Sequence, residues 1–145
     1  MALLPVRIIP GGIHRDARGD VQHVNTFNFE NVDRFYSITP TKLGEVRGWV
    51  GHRRDWKWLF AVKGMFDVGI VQPATWKTPS RNEKVQYFRL DAEAPCILEI
   101  PPGSYAASTT SNAVSTLLIF SSGKIETAVD DDFRLPPDYW TILQP

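Results

Sequence analysis

The sequence predicts an all-β domain, an antiparallel sandwich or small barrel, and three observations carry that prediction. Eleven prolines and ten glycines interrupt the 145 residues, so no long window keeps a 3.6-residue apolar period. Between the interruptions lie short runs of β-branched and aromatic residues. The composition, with 43% hydrophobic and 22% charged residues, is that of one globular domain spanning 1–145, large enough to close its own core.

The elements follow in chain order. Val21 to Phe29 is rich in β formers, and Asp33 to Ile38 carries Arg-Phe-Tyr-Ser-Ile. Glu45 to His52 alternates Val46, Gly48, Val50 and His52 on one face with Glu45, Arg47 and Trp49 on the other. Lys57 to Val62 and Met65 to Val71 read as the strongest strand pair, joined at Lys63-Gly64, where glycine supplies the positive φ of a tight hairpin. Pro73 to Glu83, broken by Pro73 and Pro79, reads as a loop containing Trp76. Further strands are expected at Val85 to Leu90, Cys96 to Ile100 and Ala113 to Phe120, with a sharp turn at Pro101-Pro102-Gly103. Asp130 to Trp140 mixes acids, prolines and aromatics, which suits a short helix or an irregular crossover.

Several function classes are excluded early. Sixteen basic residues balance sixteen acidic ones, which leaves no electrostatic footprint for nucleic acid or an anionic membrane. The lone Cys96 excludes an intramolecular disulfide and any site needing two thiolates. Its apolar neighbours mark it as a small core residue. The apolar run at Ala2 to Leu4 is too short for a signal peptide, and no stretch approaches a membrane span. A cytoplasmic location is therefore expected.

Two segments, Arg47 to Gly64 and Pro101 to Thr110, resemble the paired motifs of the cupins. Metal-binding cupins place histidines and a glutamate in this frame. Here the corresponding positions hold Val50, His52, Lys57 and Ala106. One histidine falls short of the three or four ligands a transition metal takes, so neither a metal nor another cofactor is expected.

Within the cupins, the chain resembles the nucleotide-sugar branch that includes dTDP-4-dehydrorhamnose 3,5-epimerase and the dTDP-sugar 3,4-ketoisomerases. The resemblance rests on Asp16-Ala17-Arg18-Gly19, Val46-Arg47-Gly48-Trp49, the Lys57 to Val68 segment, Ile100-Pro101-Pro102-Gly103, and Asp132 with Trp140. It implies a double-stranded β-helix, or jelly-roll barrel, that forms a homodimer and binds a nucleotide sugar. It also implies that Arg18 and Arg47 grip a diphosphate, that Lys57 stands where an enolate is stabilised, and that the C-terminal Asp132 orients the catalytic histidine.

The family's base position is Val50, leaving His52 as the sole base candidate. Trp49, Trp56 and Trp58 are candidate platforms for a base or sugar, with a place in the core or a dimer interface as the other reading. Tyr105 joins them as a substrate-contact candidate, and Tyr36 and Tyr105 are the potential acids nearest the motifs. Strict alternation puts Arg47 opposite His52, so the two converge only if a bulge or twist intervenes near Gly48 or Gly51. Either Lys57, Leu59 and Ala61 or Trp58, Phe60 and Val62 line the lumen. The expected activity is metal-independent epimerisation or isomerisation of a dTDP- or UDP-linked 4-keto sugar in polysaccharide biosynthesis. The alternative is a non-catalytic cupin that binds a nucleotide sugar or glycan, or scaffolds a biosynthetic partner.

Overall fold

A computed structural model describes residues 3–142. In chain order the strands are β1 Arg7–Pro10, β2 Gly12–Asp16, β3 Gly19–His23, β4 Arg34–Ile38, β5 Arg47–His52 and β6 Lys57–Lys63. They continue as β7 Met65–Val71, β8 Gln86–Asp91, β9 Cys96–Ile100, β10 Ser104–Thr109, β11 Thr116–Ser121 and β12 Phe133–Arg134, with a 3-10 helix at Ile125–Asp131. One five-stranded antiparallel sheet runs β1-β9-β6-β11-β4 and a second runs β12-β5-β10-β7-β8, while β2 and β3 form a separate hairpin. Among the described residues no helix is long and apolar enough to cross a membrane.

Period-two alternation assigns the faces. Leu59 and Ala61 of β6, Val68 and Ile70 of β7, Leu98 of β9 and Leu117 and Ile119 of β11 meet with Phe66 and Leu90 in a core between the sheets. Lys57, Leu59 and Ala61 therefore belong to the inward set, which settles the open question of the lumen. Trp58 and Phe120, paired across β6 and β11, point outward.

The expected hairpin at Lys63-Gly64 is a corner instead. Its arms β6 and β7 belong to different sheets and do not pair. Gly64 does take a positive φ of 73°, and a Cβ there would overlap Ser115 Oγ. Close passage of the chain across the sheet edge, rather than a two-residue hairpin, is what needs glycine at this position. The Val21–Phe29 run is a strand only up to His23. Beyond it the chain turns and lays Phe27 against Trp58 and Phe120, with ring centroids 5.9 and 5.3 Å apart. Strands β1, β2, β10 and β12 have no strand counterpart in the sequence expectations, and β11 starts three residues later than expected.

The two outer faces differ. That of the second sheet is covered by loop and tail residues, with Trp76, Phe133 and Ile142 packed on Trp49, Tyr105 and Trp140. On the first sheet, Phe29 and Phe35 remain 60% and 68% exposed around Phe120.

Candidate functional site

One end of the space between the sheets stays open as a cavity of about 450 Å³. Arg34 and Tyr36 of β4, Arg47 and His52 of β5, and Lys57 of β6 line it, with Asp55, Asp132 and Arg134 from the following turns and tail. Val50 and Ala106 line it as well.

Arg47 reaches this wall because of a β-bulge. On β10, Ala106 pairs with Val50 and the next residue, Ala107, pairs with Gly48, so Trp49 is the extra residue of β5. The bulge restores Arg47, opposite Ser108, to the inward face that Val50 and His52 occupy. Gly48, at φ 130°, permits the local path, since a Cβ there would come within 2.6 Å of the Ala106 carbonyl oxygen. Arg47 forms no salt bridge among the described residues.

His52 is held in one tautomer. Its Nδ1 lies 2.6 Å from the Asp131 backbone oxygen, which only accepts, so Nδ1 carries the hydrogen. Burial, and then the nearby Lys57 cation, push the imidazole pKa below its ordinary value. The neutral ring therefore keeps its lone pair on Nε2. The Asp131 carboxylate, 2% exposed, accepts the backbone N–H groups of Arg53, Arg54 and Asp55 at 2.7, 3.0 and 3.0 Å. That clamp fixes both the turn after β5 and the carbonyl that orients His52.

Lys57 is buried, and its Nζ donates to Ser121 Oγ at 2.9 Å. Burial, followed by the charge of Arg34, lowers its pKa to about 8. Tyr36 lies between cations, with Arg34 5.1 Å and Lys57 5.6 Å from its ring centre. Burial raises the phenol pKa, which keeps Tyr36 protonated.

Of the residues expected at the site, His52, Lys57, Arg47 and Asp132 line the cavity. Asp132 does so in a different role from the expected one: its carboxylate pairs with Arg134 at 3.0 Å, and the neighbouring Asp131 holds His52. Other candidates lie elsewhere. Arg18 sits exposed at the β2–β3 turn, paired with Asp16 at 2.7 Å. Trp49 is fully buried on the outer side of the second sheet, donating to the Trp140 carbonyl at 3.1 Å. Tyr105 stacks on Trp76 with centroids 4.5 Å apart. Trp58 packs on the outer face of the first sheet and donates to Glu99 at 3.0 Å. Sequence reading missed Arg34, Asp55, Asp131 and Arg134. Inward parity of Arg34 with Tyr36 was the available signal for the first.

His52, Asp55 and Asp131 are close enough together to bracket a cation. The Asp131 carboxylate and His52 Nδ1 are already engaged, so two uncommitted donors remain, short of a metal's three or four.

Scans against protein-family models and curated proteins found no match. Solved structures do match. The sugar 3,4-ketoisomerase QdtA from Thermoanaerobacterium thermosaccharolyticum, in complex with TDP, aligns with a TM-score of 0.71 at 17% identity, over 95% of this chain and 93% of its own. The 3'-monoepimerase ChmJ from Streptomyces bikiniensis, in complex with dTDP-quinovose, aligns at 0.74 and 18% identity, over 92% and 72%. The TDP-quinovose 3,4-ketoisomerase WlaRB from Campylobacter jejuni gives 0.68 at 17%, over 94% and 98%. The fold is that of the cupin sugar isomerases and epimerases. In this cupin barrel inward residues of β4, β5 and β6 line one cavity.

Proposed function

We propose that the protein is a metal-independent epimerase or isomerase acting on a dTDP- or UDP-linked 4-keto sugar in the cytoplasm, in polysaccharide biosynthesis. The observation that carries this reading is the convergence of His52, Lys57, Tyr36 and Arg47 on one cavity. Proton transfer beside a carbonyl needs a base, a cation to draw electrons toward the carbonyl, and an acid. His52 offers an unprotonated Nε2 from the second sheet. Lys57 is the buried amine, and Tyr36 is a protonated phenol that lines the same cavity from the first sheet. Removing a proton to one sheet and returning one from the other would invert a stereocentre.

Cations outnumber carboxylates on the lining, with Arg34, Arg47, Arg134 and Lys57 against Asp55 and Asp132. An anionic ligand suits that balance, and an arginine at the mouth suits a diphosphate. Arg47, Gly48 and Ser108 also border an adjoining cavity of about 500 Å³ lined by Ser37, Thr39, Thr41, Glu45 and Thr109. Sugar and nucleoside would occupy the two chambers, with the diphosphate at Arg47. The exposed aromatic face of the first sheet is the proposed homodimer contact, since the chain leaves it uncovered.

The test is incubation with dTDP-4-keto-6-deoxyglucose in deuterated water. Deuterium enters the sugar with the native protein and fails to enter with His52→Ala. A second reading, binding without catalysis, is favoured by the apolar Val50 and Ala106 on the cavity wall. It predicts affinity weakened in Arg47→Ala, with no exchange in any variant. Absence of both binding and exchange across a panel of dTDP- and UDP-sugars rejects both readings.

A further inference from the structure

Simple charge stabilisation does not account for the choice of lysine at position 57. A permanent cation would serve that purpose, and arginine keeps its charge in any protein environment. Lys57 is instead 7% exposed, its Nζ donates to a serine hydroxyl, and it forms no salt bridge among the described residues. The groups that face it electrostatically are Arg34, Asp55, Asp131, Asp132 and His52. A desolvated amine beside a second cation is the arrangement that makes a lysine nucleophilic near neutral pH. We propose that Lys57 captures the carbonyl group of its ligand as a Schiff base.

With a pKa of about 8, roughly a tenth of the amine is neutral at pH 7. In the step itself, the Nζ lone pair attacks the carbonyl carbon, the C–O π pair moves to oxygen, and a proton passes from nitrogen to oxygen. The resulting carbinolamine takes up a proton and loses its oxygen as water, leaving an iminium ion. No oxidant or reductant is needed. His52 Nε2 then removes the neighbouring carbon-bound proton, and that electron pair forms an enamine that neutralises the iminium. Reprotonation at the same carbon and hydrolysis return the carbonyl and free Lys57.

This chemistry deepens the proposed function and, for the sugar, rests on it. It also selects between the two reactions of that reading. An iminium at the carbonyl carbon is released by hydrolysis only if the carbonyl returns to that carbon, as in epimerisation of its neighbour. Moving the carbonyl next door would leave the nitrogen bound to a saturated carbon with no route to release. The inference is therefore an epimerase, or a proton exchanger, in preference to a ketoisomerase.

The full-length protein is treated with hydroxyacetone and sodium cyanoborohydride at pH 7.5, and the adducts are mapped by peptide mass spectrometry. The expected result is a stable adduct on Lys57 formed at least tenfold faster than on the exposed Lys63. Labelling of Lys57 no faster than of Lys63 overturns the proposal, and this comparison within the native protein needs no variant to fold. In Lys57→Arg, which keeps the charge, deuterium exchange into dTDP-4-keto-6-deoxyglucose should fall at least a hundredfold. Native-level exchange in that variant also overturns it. Exchange by the native protein with no Lys57 adduct rejects the Schiff base and leaves the proposed function standing. A rapid Lys57 adduct without binding or exchange of any sugar nucleotide supports the nucleophile and rejects that function.

Discussion

The two ends of the space between the sheets are built by the same strands and do opposite things. β6 carries Lys57 and Leu59 on the cavity wall and Ala61 beyond it; β7 carries Val68 on that wall and Phe66 beyond it. The apolar end is sealed, with Phe66, Leu90 and Leu98 each 1% exposed or less. The open end holds an amine and an imidazole whose charged forms burial disfavours. Stability is concentrated in the first and withheld from the second, as happens where binding or chemistry requires groups that a stable core would exclude.

The largest effect that tests this contrast is at the sealed end. Phe66→Ala should lower unfolding free energy by about 3–5 kcal/mol in urea titrations, while the folded fraction keeps its ligand affinity. A smaller and opposite change is expected from Lys57→Met. Removing the penalised charge should stabilise the protein by about 1–3 kcal/mol and abolish exchange and adduct formation. Destabilisation on that substitution would break the contrast.

The pH dependence sharpens the same point. Because folding lowers the Lys57 pKa from 10.5 to about 8, the folded chain binds fewer protons than the unfolded chain between those values. Stability contributed at this site therefore rises with pH through that window and is flat below it. The native-minus-variant difference for Lys57→Met should show that slope in denaturant titrations at stepped pH. Arg47→Ala, at the exposed mouth, should weaken nucleotide-sugar binding by about tenfold to a hundredfold, roughly 1.4–2.7 kcal/mol, with no change in Tm. The smallest expected stability effect is from Phe35→Ser on the outer face, within about 0.5 kcal/mol for the monomer. Sedimentation should nevertheless show a shift from dimer toward monomer.

Alternation made the two faces of β6 legible, Lys57, Leu59 and Ala61 on one and Trp58, Phe60 and Val62 on the other, but left open which of them turns inward. The all-β class followed from the same pattern and from turn residues. What resisted reading were facts set by tertiary contact. Gly64 announces its positive φ, but that the strands beside it part at a corner packed against Ser115 is a tertiary fact that local sequence does not carry. Trp49 and Trp58 read as ligand platforms and Tyr105 as a substrate contact, since an aromatic residue carries no mark of which sheet face will be covered. Asp132 stands out from Asp131 only through the family resemblance, which pairs it with Trp140 and implies a carboxylate partner for the histidine. The molecule uses a backbone carbonyl, which every residue has and no sequence can single out.

The extra residue at Trp49 has a consequence for how this chain can be aligned and altered. A bulge is a half-period phase shift: every position before it reads inside for outside relative to every position after it. Deleting Trp49 would return β5 to strict alternation and still leave Arg47 opposite Ser108 on the inward face, four positions from His52 in place of five. A single gap, placed or omitted, thus decides whether a related sequence carries this arginine at its site.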